Sequence, residues 1–147
     1  MVSMRFSGGR DIERALRELG GHAVSKRLGR RALKGGAEPV RDKAKRLAPK
    51  DERVLEEAIV IGTRVSSRAR ASVGREQDGI VRVFVGIDQG APQEVNIYSI
   101  VQEFEQPYFR PAWDTEGRKA PDRMGPIIWD DIERTAARLR KRTRAAG

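Results

Sequence analysis

Tyr98-Ser-Ile-Val-Gln-Glu-Phe-Glu-Gln-Pro-Tyr-Phe-Arg-Pro-Ala-Trp113 holds five of the eight aromatic residues (Phe 4, Trp 2, Tyr 2) in a chain of 147. Such a stretch is costly to leave in water. It cannot be one unbroken helix, because Pro107 and Pro111 each remove a backbone donor and restrict the residue before them. The spacing predicts a short helix or strand, a turn at Pro107 and a second element starting near Pro111. Phe104, Phe109 and Trp113 are then candidates for the core or for a contact between subunits.

Working outward, the 80–87 segment alternates Val81, Val83, Val85 and Ile87 with Ile80, Arg82, Phe84 and Gly86, the clearest strand pattern in the chain. Residues 58–65 are rich in β-branched side chains and read as another strand. Ala69, Ala71 and Val73 alternate with Arg68, Arg70 and Ser72 as a half-exposed third, and the Asp-Gly at 78–79 is a turn signal. Together they predict an antiparallel meander, followed by a loop over 88–96.

On the N-terminal side, Ile12, Ala15, Leu16 and Leu19 mark one helix face that ends at Gly20-Gly21. Val24, Leu28, Ala32, Ala37, Val40, Ala44 and Leu47 carry helical spacing up to Ala48, and Pro49 stops it. Gly29, Gly35 and Gly36 inside that pattern signal a kink or a close approach of another backbone, and a break at Gly35-Gly36 is the alternative. A last helix is predicted after Gly125-Pro126, with Ile128, Trp129, Ile132, Ala136 and Leu139 as its apolar face. Asp130, Asp131 and Glu133 early and Arg138, Arg140, Lys141, Arg142 and Arg144 late would suit its dipole. Residues 114–124 are ambiguous between loop and helix. The expected fold is α+β: an antiparallel sheet of three to four strands packed against a long N-terminal helix and a C-terminal helix. One domain over 1–147 is expected, with flexible ends at 1–9 and 144–147.

Composition narrows the function. A chain of this length can bury roughly 68–70% of its unfolded surface without staples. The absence of cysteine rules out disulfides, thiolate zinc sites and cysteine nucleophiles. No apolar run approaches a membrane span and no secretory h-region opens the sequence, so synthesis in the cytoplasm and no membrane partner are expected. His22 is the only histidine and has no second ligand to share a metal. The carboxylate pairs Asp51-Glu52, Glu56-Glu57 and Asp130-Asp131 lack any accompanying phosphate-loop or nucleophile-elbow pattern. No enzyme, catalytic residue, cofactor or metal is expected.

The net charge of +9 attracts polyanions. In the 23–48 helix, Arg27, Arg30, Arg31, Lys34, Arg41 and Lys45 could face phosphates, or could simply form a solvated polar face. The C-terminal basic run has the same two readings, with cationic capping of a helix end as the plainer one. No aromatics interleave either cluster, which argues against a base-stacking platform.

Three blocks carry a resemblance. Gly36-Ala-Glu-Pro-Val-Arg-Asp-Lys-Ala-Lys-Arg-Leu-Ala-Pro49 is similar to a helix ending in Ala-Lys-x-x-Ala-Pro. Leu55-Glu-Glu-Ala-Ile59 is similar to a Leu-x-x-Ser-Ile step into a first strand. Tyr98 to Phe104, then Tyr108-Phe-Arg-Pro-Ala-Trp113, is similar to Tyr-Ala-x-x-Val-Glu-Phe-Gly-Thr followed by Arg-Pro-Phe-Leu-Arg-Pro-Ala. In this order, over about 10–143, they resemble the tail-completion (neck, head–tail joining) proteins of long-tailed double-stranded DNA phages of lambdoid type. Glu105 stands where the family has glycine, and Tyr108-Phe109 replaces a Phe-Leu pair. The resemblance implies a structural virion protein at the head–tail junction, in a homo-oligomeric ring of six-fold symmetry. It also implies head-completion or connector and tail-tube partners, and proximity to DNA without dedicated binding. A tail-terminator role is not separable from tail completion at this level. Tyr98, Glu103, Phe104, Tyr108, Phe109, Arg110 and Trp113 become the candidate subunit or partner contacts. The alternative is a basic nucleic-acid-binding protein using the face of the 23–48 helix.

Overall fold

The computed structural model describes residue 17 and residues 22–64 and 81–146. Helix α1 spans His22–Leu47 without a break at Gly35-Gly36. A 3₁₀ turn, Asp51–Arg53, follows Pro49 and leads into the short α2, Val54–Ala58. Strands β1 (Ile59–Gly62) and β2 (Phe84–Ile87) come next. Helices α3 (Gln93–Glu105) and α4 (Phe109–Glu116), a 3₁₀ turn (Gly117–Lys119) and α5 (Ala120–Ala146) complete the order.

Burial on α1 recurs every four residues, at Leu28, Ala32, Gly36, Val40 and Ala44, and Ala48 just beyond the helix extends the series. A step of four advances about 40° beyond a full turn, so the buried line winds roughly 200° around the axis between 28 and 48. One helix can therefore serve two neighbourhoods. Its N-terminal half packs antiparallel against α5: Arg31 meets Asp131, Gly35 lies under Ile127, and Gly36 lies against Ala120 and Met124. Its C-terminal half supplies Val40, Ala44 and Ala48 to a cluster with Leu55, Ile59, Tyr108 and Ala112, flanked by Val85, Ile87, Val95, Tyr98 and Phe109.

The glycine pair serves close approach rather than a kink. A Cβ on Gly36 would fall 2.8 Å from Met124 Cγ and 3.3 Å from the Ala120 carbonyl, and one on Gly35 would fall 2.5 Å from Ile127 Cδ1. Arg123 stitches the same junction, its Nη2 donating to the Gly36 carbonyl at 2.9 Å and the Glu116 carbonyl at 2.7 Å.

β1 and β2 pair antiparallel, with Ile59 opposite Ile87 and Gly62 opposite Phe84. Among the described residues the sheet has two strands, not three to four. The expected strand at 69–73 and the helix face at 12–19 lie outside the described residues, apart from residue 17, which is helical. Both described strands are shorter than the β-branched runs suggested: Ala58 closes α2, and residues 81–83 carry no regular structure.

Three further expectations are corrected. The 88–96 loop ends at Pro92, because α3 begins at Gln93. Residues 114–124 are helical almost throughout. The last helix starts at Ala120, not after Pro126, which lies inside it. Pro121, in the first turn, occupies the position that tolerates a missing N–H. Met124 and Ile127 pack on the α1 glycines and carry the helix across Pro126. Consequently Asp130, Asp131 and Glu133 are mid-helix residues rather than partners of a helix N-terminus.

Candidate functional site

The aromatic stretch folds as the end of α3, a three-residue turn and α4. The first donors of a helix have no partner within it, and Tyr108, at the N-cap of α4, provides no side-chain cap. Glu103, on the preceding helix, does this from outside. Its Oε2 accepts from the N–H of Tyr108 at 3.0 Å and of Phe109 at 2.9 Å, and its Oε1 accepts from Arg110 at 3.1 Å. The next residue, Pro111, has no N–H to satisfy, and Ala112 opens the helical pattern by donating to the Tyr108 carbonyl. Every early donor of α4 is thereby settled, and a carboxylate sits at the positive end of the helix dipole.

Tyr108 is fully enclosed. Its hydroxyl donates to the Ser99 carbonyl at 3.4 Å, and its ring lies 4.6 Å from that of Phe109. Burial pushes the phenol above its usual pKa; the Ser99 side chain, by hydrogen bonding, opposes this, and the Glu103 carboxylate and Tyr98 add to it. Tyr98 and Phe109 are half-buried against the core. Trp113 lies over the backbone of Gly117, where a Cβ would come within 2.7 Å of its ring, and Arg110 is exposed.

Phe104 belongs to a different surface. It is 86% exposed, and with Ile97 (55%), Ile100 (57%) and Val101 (44%) it forms an uncovered apolar face on α3. The spacing is i, i+3, i+4, i+7, so the signal is present in the sequence; an element before Pro107 left open between helix and strand does not resolve it into a helix face. Glu94 and Glu105 flank this face on one side. Beside it, Asp51, Val54, Glu94, Val95 and Tyr98 line an open groove of about 340 Å³.

The candidate phosphate-facing residues Arg27, Arg30, Arg31, Lys34, Arg41 and Lys45 fall within an arc of roughly 100° on α1. Arg27, Arg30, Arg31 and Lys34 are exposed; Arg41 and Lys45 are half-buried, and Arg41 is paired with Asp42 at 3.0 Å. The fold adds residues from α5 to this surface. Arg27 and Arg31 meet Arg134 and Arg138 around a cleft whose wall includes Leu28, Asp131 and Thr135. Asp131 is buried, with Oδ1 3.5 Å from Arg31 Nη1 and no hydrogen-bond partner for Oδ2. The surrounding guanidiniums offset its charge. Nothing in the local sequence distinguishes Asp131 from the exposed Asp130, which pairs with Arg134 at 3.0 Å.

Among the described residues, no group of three or more His, Asp or Glu side chains is placed to hold a metal, and no helix is long and apolar enough to cross a membrane. What the described residues offer at this site is apolar, aromatic and charged surface.

Residues 10–104 match the family model described as "Bacteriophage HK97-gp10, putative tail-component". That is about two thirds of the chain, which belongs to this family of phage tail components and is a phage structural protein. The match includes the α1, α2 and α3 blocks of the resemblance and ends at Phe104, so Arg110 to Trp113 lie beyond it. No curated protein and no solved structure matches the chain.

Proposed function

We propose that this protein completes the phage tail and joins it to the DNA-filled head, assembling as a ring of copies at the head–tail junction of the virion. Its partners there are head-completion or connector proteins on one side and tail-tube proteins on the other. The six-fold symmetry implied by the resemblance suits such a position. The observation that carries the reading is the match to phage tail components over α1 to α3, on a chain whose α3 leaves four large apolar side chains in solvent. A face of that kind marks an interaction surface. Its mechanism is assembly: burial of apolar and aromatic surface between copies and against neighbouring tail proteins.

Electron microscopy of induced lysates from a lysogen lacking this gene tests the role. Separate DNA-filled heads and unattached tails are expected, and normal or aberrant tail lengths separate completion from termination. Intact infectious particles would overturn the reading.

A second reading is favoured by one observation, the convergence of Arg27, Arg31, Arg134 and Arg138 on one cleft. That surface suits sequence-independent contact with phosphates, either as an accompaniment to work beside DNA or as a dedicated binding function. The strength and salt dependence of binding decide between the two.

A further inference from the structure

We propose that the apolar face of α3 is the seat for the basic C-terminal end of α5 from a second copy of this chain, repeated head to tail. The inference rests on the ring reading above and names the two surfaces that would close the ring.

The charges of the two surfaces are complementary. Residues 83–109 contain no lysine or arginine in a chain that has 30, and they carry Asp88, Glu94, Glu103 and Glu105. Glu103 is engaged by the α4 backbone, which leaves Glu94 and Glu105 free to border the Ile97, Ile100, Val101 and Phe104 face. After Glu133, α5 carries no acid but has Arg134, Arg138, Arg140, Lys141, Arg142 and Arg144. From Ala137 to Ala146 every residue of α5 is exposed, although the helix continues. Along that free end Leu139, Thr143 and Ala146 form one line of apolar and small side chains, with Arg140 and Arg142 on either side of it. A Leu139-centred line edged by arginines suits an apolar line bordered on one side by glutamates, the helix-on-face mode of recognition.

The two surfaces cannot meet within one copy. α5 runs antiparallel to α1, so its free end points past the α1 N-terminus, whereas α3 packs beside the cluster at the α1 C-terminal half. The α1 helix alone separates these ends by about 39 Å. Complementary patches at opposite ends of one molecule make a heterologous contact, which propagates and closes where the rotation allows.

The chain has no cysteine, so paired thiols report the contact directly. The variant carrying both Ile100→Cys and Leu139→Cys is oxidised at about 1 mM protein, the weak end of specific association. A ladder of cross-linked multiples is expected. Mixing the two single variants should give cross-linked dimers and nothing larger, since each offers one reactive end. A second pair, Phe104→Cys with Arg142→Cys, guards against one unfavourable thiol geometry, and all four positions are exposed. Absence of a ladder from both pairs overturns the contact. So do dimers from the Ile100→Cys chain alone, because they place α3 against α3. These results are independent of the lysate microscopy, so the contact can fail while the tail role stands, or the reverse.

Discussion

At the scale of single residues, Glu103 is the side chain that most decides the local structure. Three backbone donors converge on its carboxylate, and they come from the turn that positions Tyr108 in the core. Glu103→Ala leaves those donors to water and removes the charge at the α4 N-terminus. It should lower stability by about 1–3 kcal/mol, read as a lower urea midpoint at unchanged slope. Glu103→Gln keeps an acceptor oxygen and should lose less. Equal midpoints for wild type and Glu103→Ala would remove the capping role. Tyr108 gives a pH signature. Its phenol is held above the usual value, so the buried neutral form contributes stability that is fully present below about pH 10 and is lost as pH rises through the folded-state value. Tyr108→Phe should flatten that alkaline loss in a stability-against-pH series. An unchanged alkaline limb would show that ionisation of Tyr108 does not govern it.

At the scale of elements, the winding buried line of α1 makes opposite predictions for two glycines on one helix. Gly29 can take a methyl: a Cβ would sit 3.4 Å from Val81 Cγ2 and 3.8 Å from its Cβ, at the close edge of ordinary contact. Gly29→Ala should therefore gain about 1 kcal/mol of helix propensity. Gly36→Ala gains the same propensity but drives a methyl onto Met124 and the Ala120 carbonyl, an overpacking cost of about 1–3 kcal/mol. Its melting temperature should fall below that of Gly29→Ala, and the reverse order would deny the close approach of α1 and α5. This pair also shows how far the sequence could be read. The α1 periodicity and the turn at Pro107 were legible because periodicity and breakers act locally, whereas the glycines left kink, break and close approach open until α5 was in place. The length of α5 was not, because Pro126 is a local stop signal that contacts from Met124 and Ile127 override. The Glu103 cap and the burial of Asp131 depend on which helix lies alongside, and spacing within one element does not encode that. The α3 face, Ile97, Ile100, Val101 and Phe104, is legible in principle, but a short stretch ended by Pro107 reads equally as helix or strand, and only the helix brings these four together.

At the scale of the whole molecule, the charge is arranged in space, not merely in excess. The acid-bordered α3 end and the arginine-rich α1–α5 end would respond differently to salt if they serve assembly and incidental phosphate contact. A basic cleft that engages about four phosphates should lose affinity with a slope of about −3.6 in log K against log salt, roughly a hundredfold between 50 and 200 mM. Arg27→Gln with Arg31→Gln should halve that slope, because each arginine lost releases about one counterion fewer. Contact between copies has an apolar centre, and salt screens only its charged borders. Thiol variants oxidised at about 500 mM salt, where long-range screening is nearly complete, should therefore still form the ladder, while retention on random-sequence duplex DNA disappears by about 200 mM. Titrating one preparation for both properties separates the two functions of the surface. Loss of both together would mean that charge alone holds the copies to one another. Tight DNA binding that survives at 200 mM and shows sequence preference would make the α1–α5 cleft the working site, with tail assembly secondary to it.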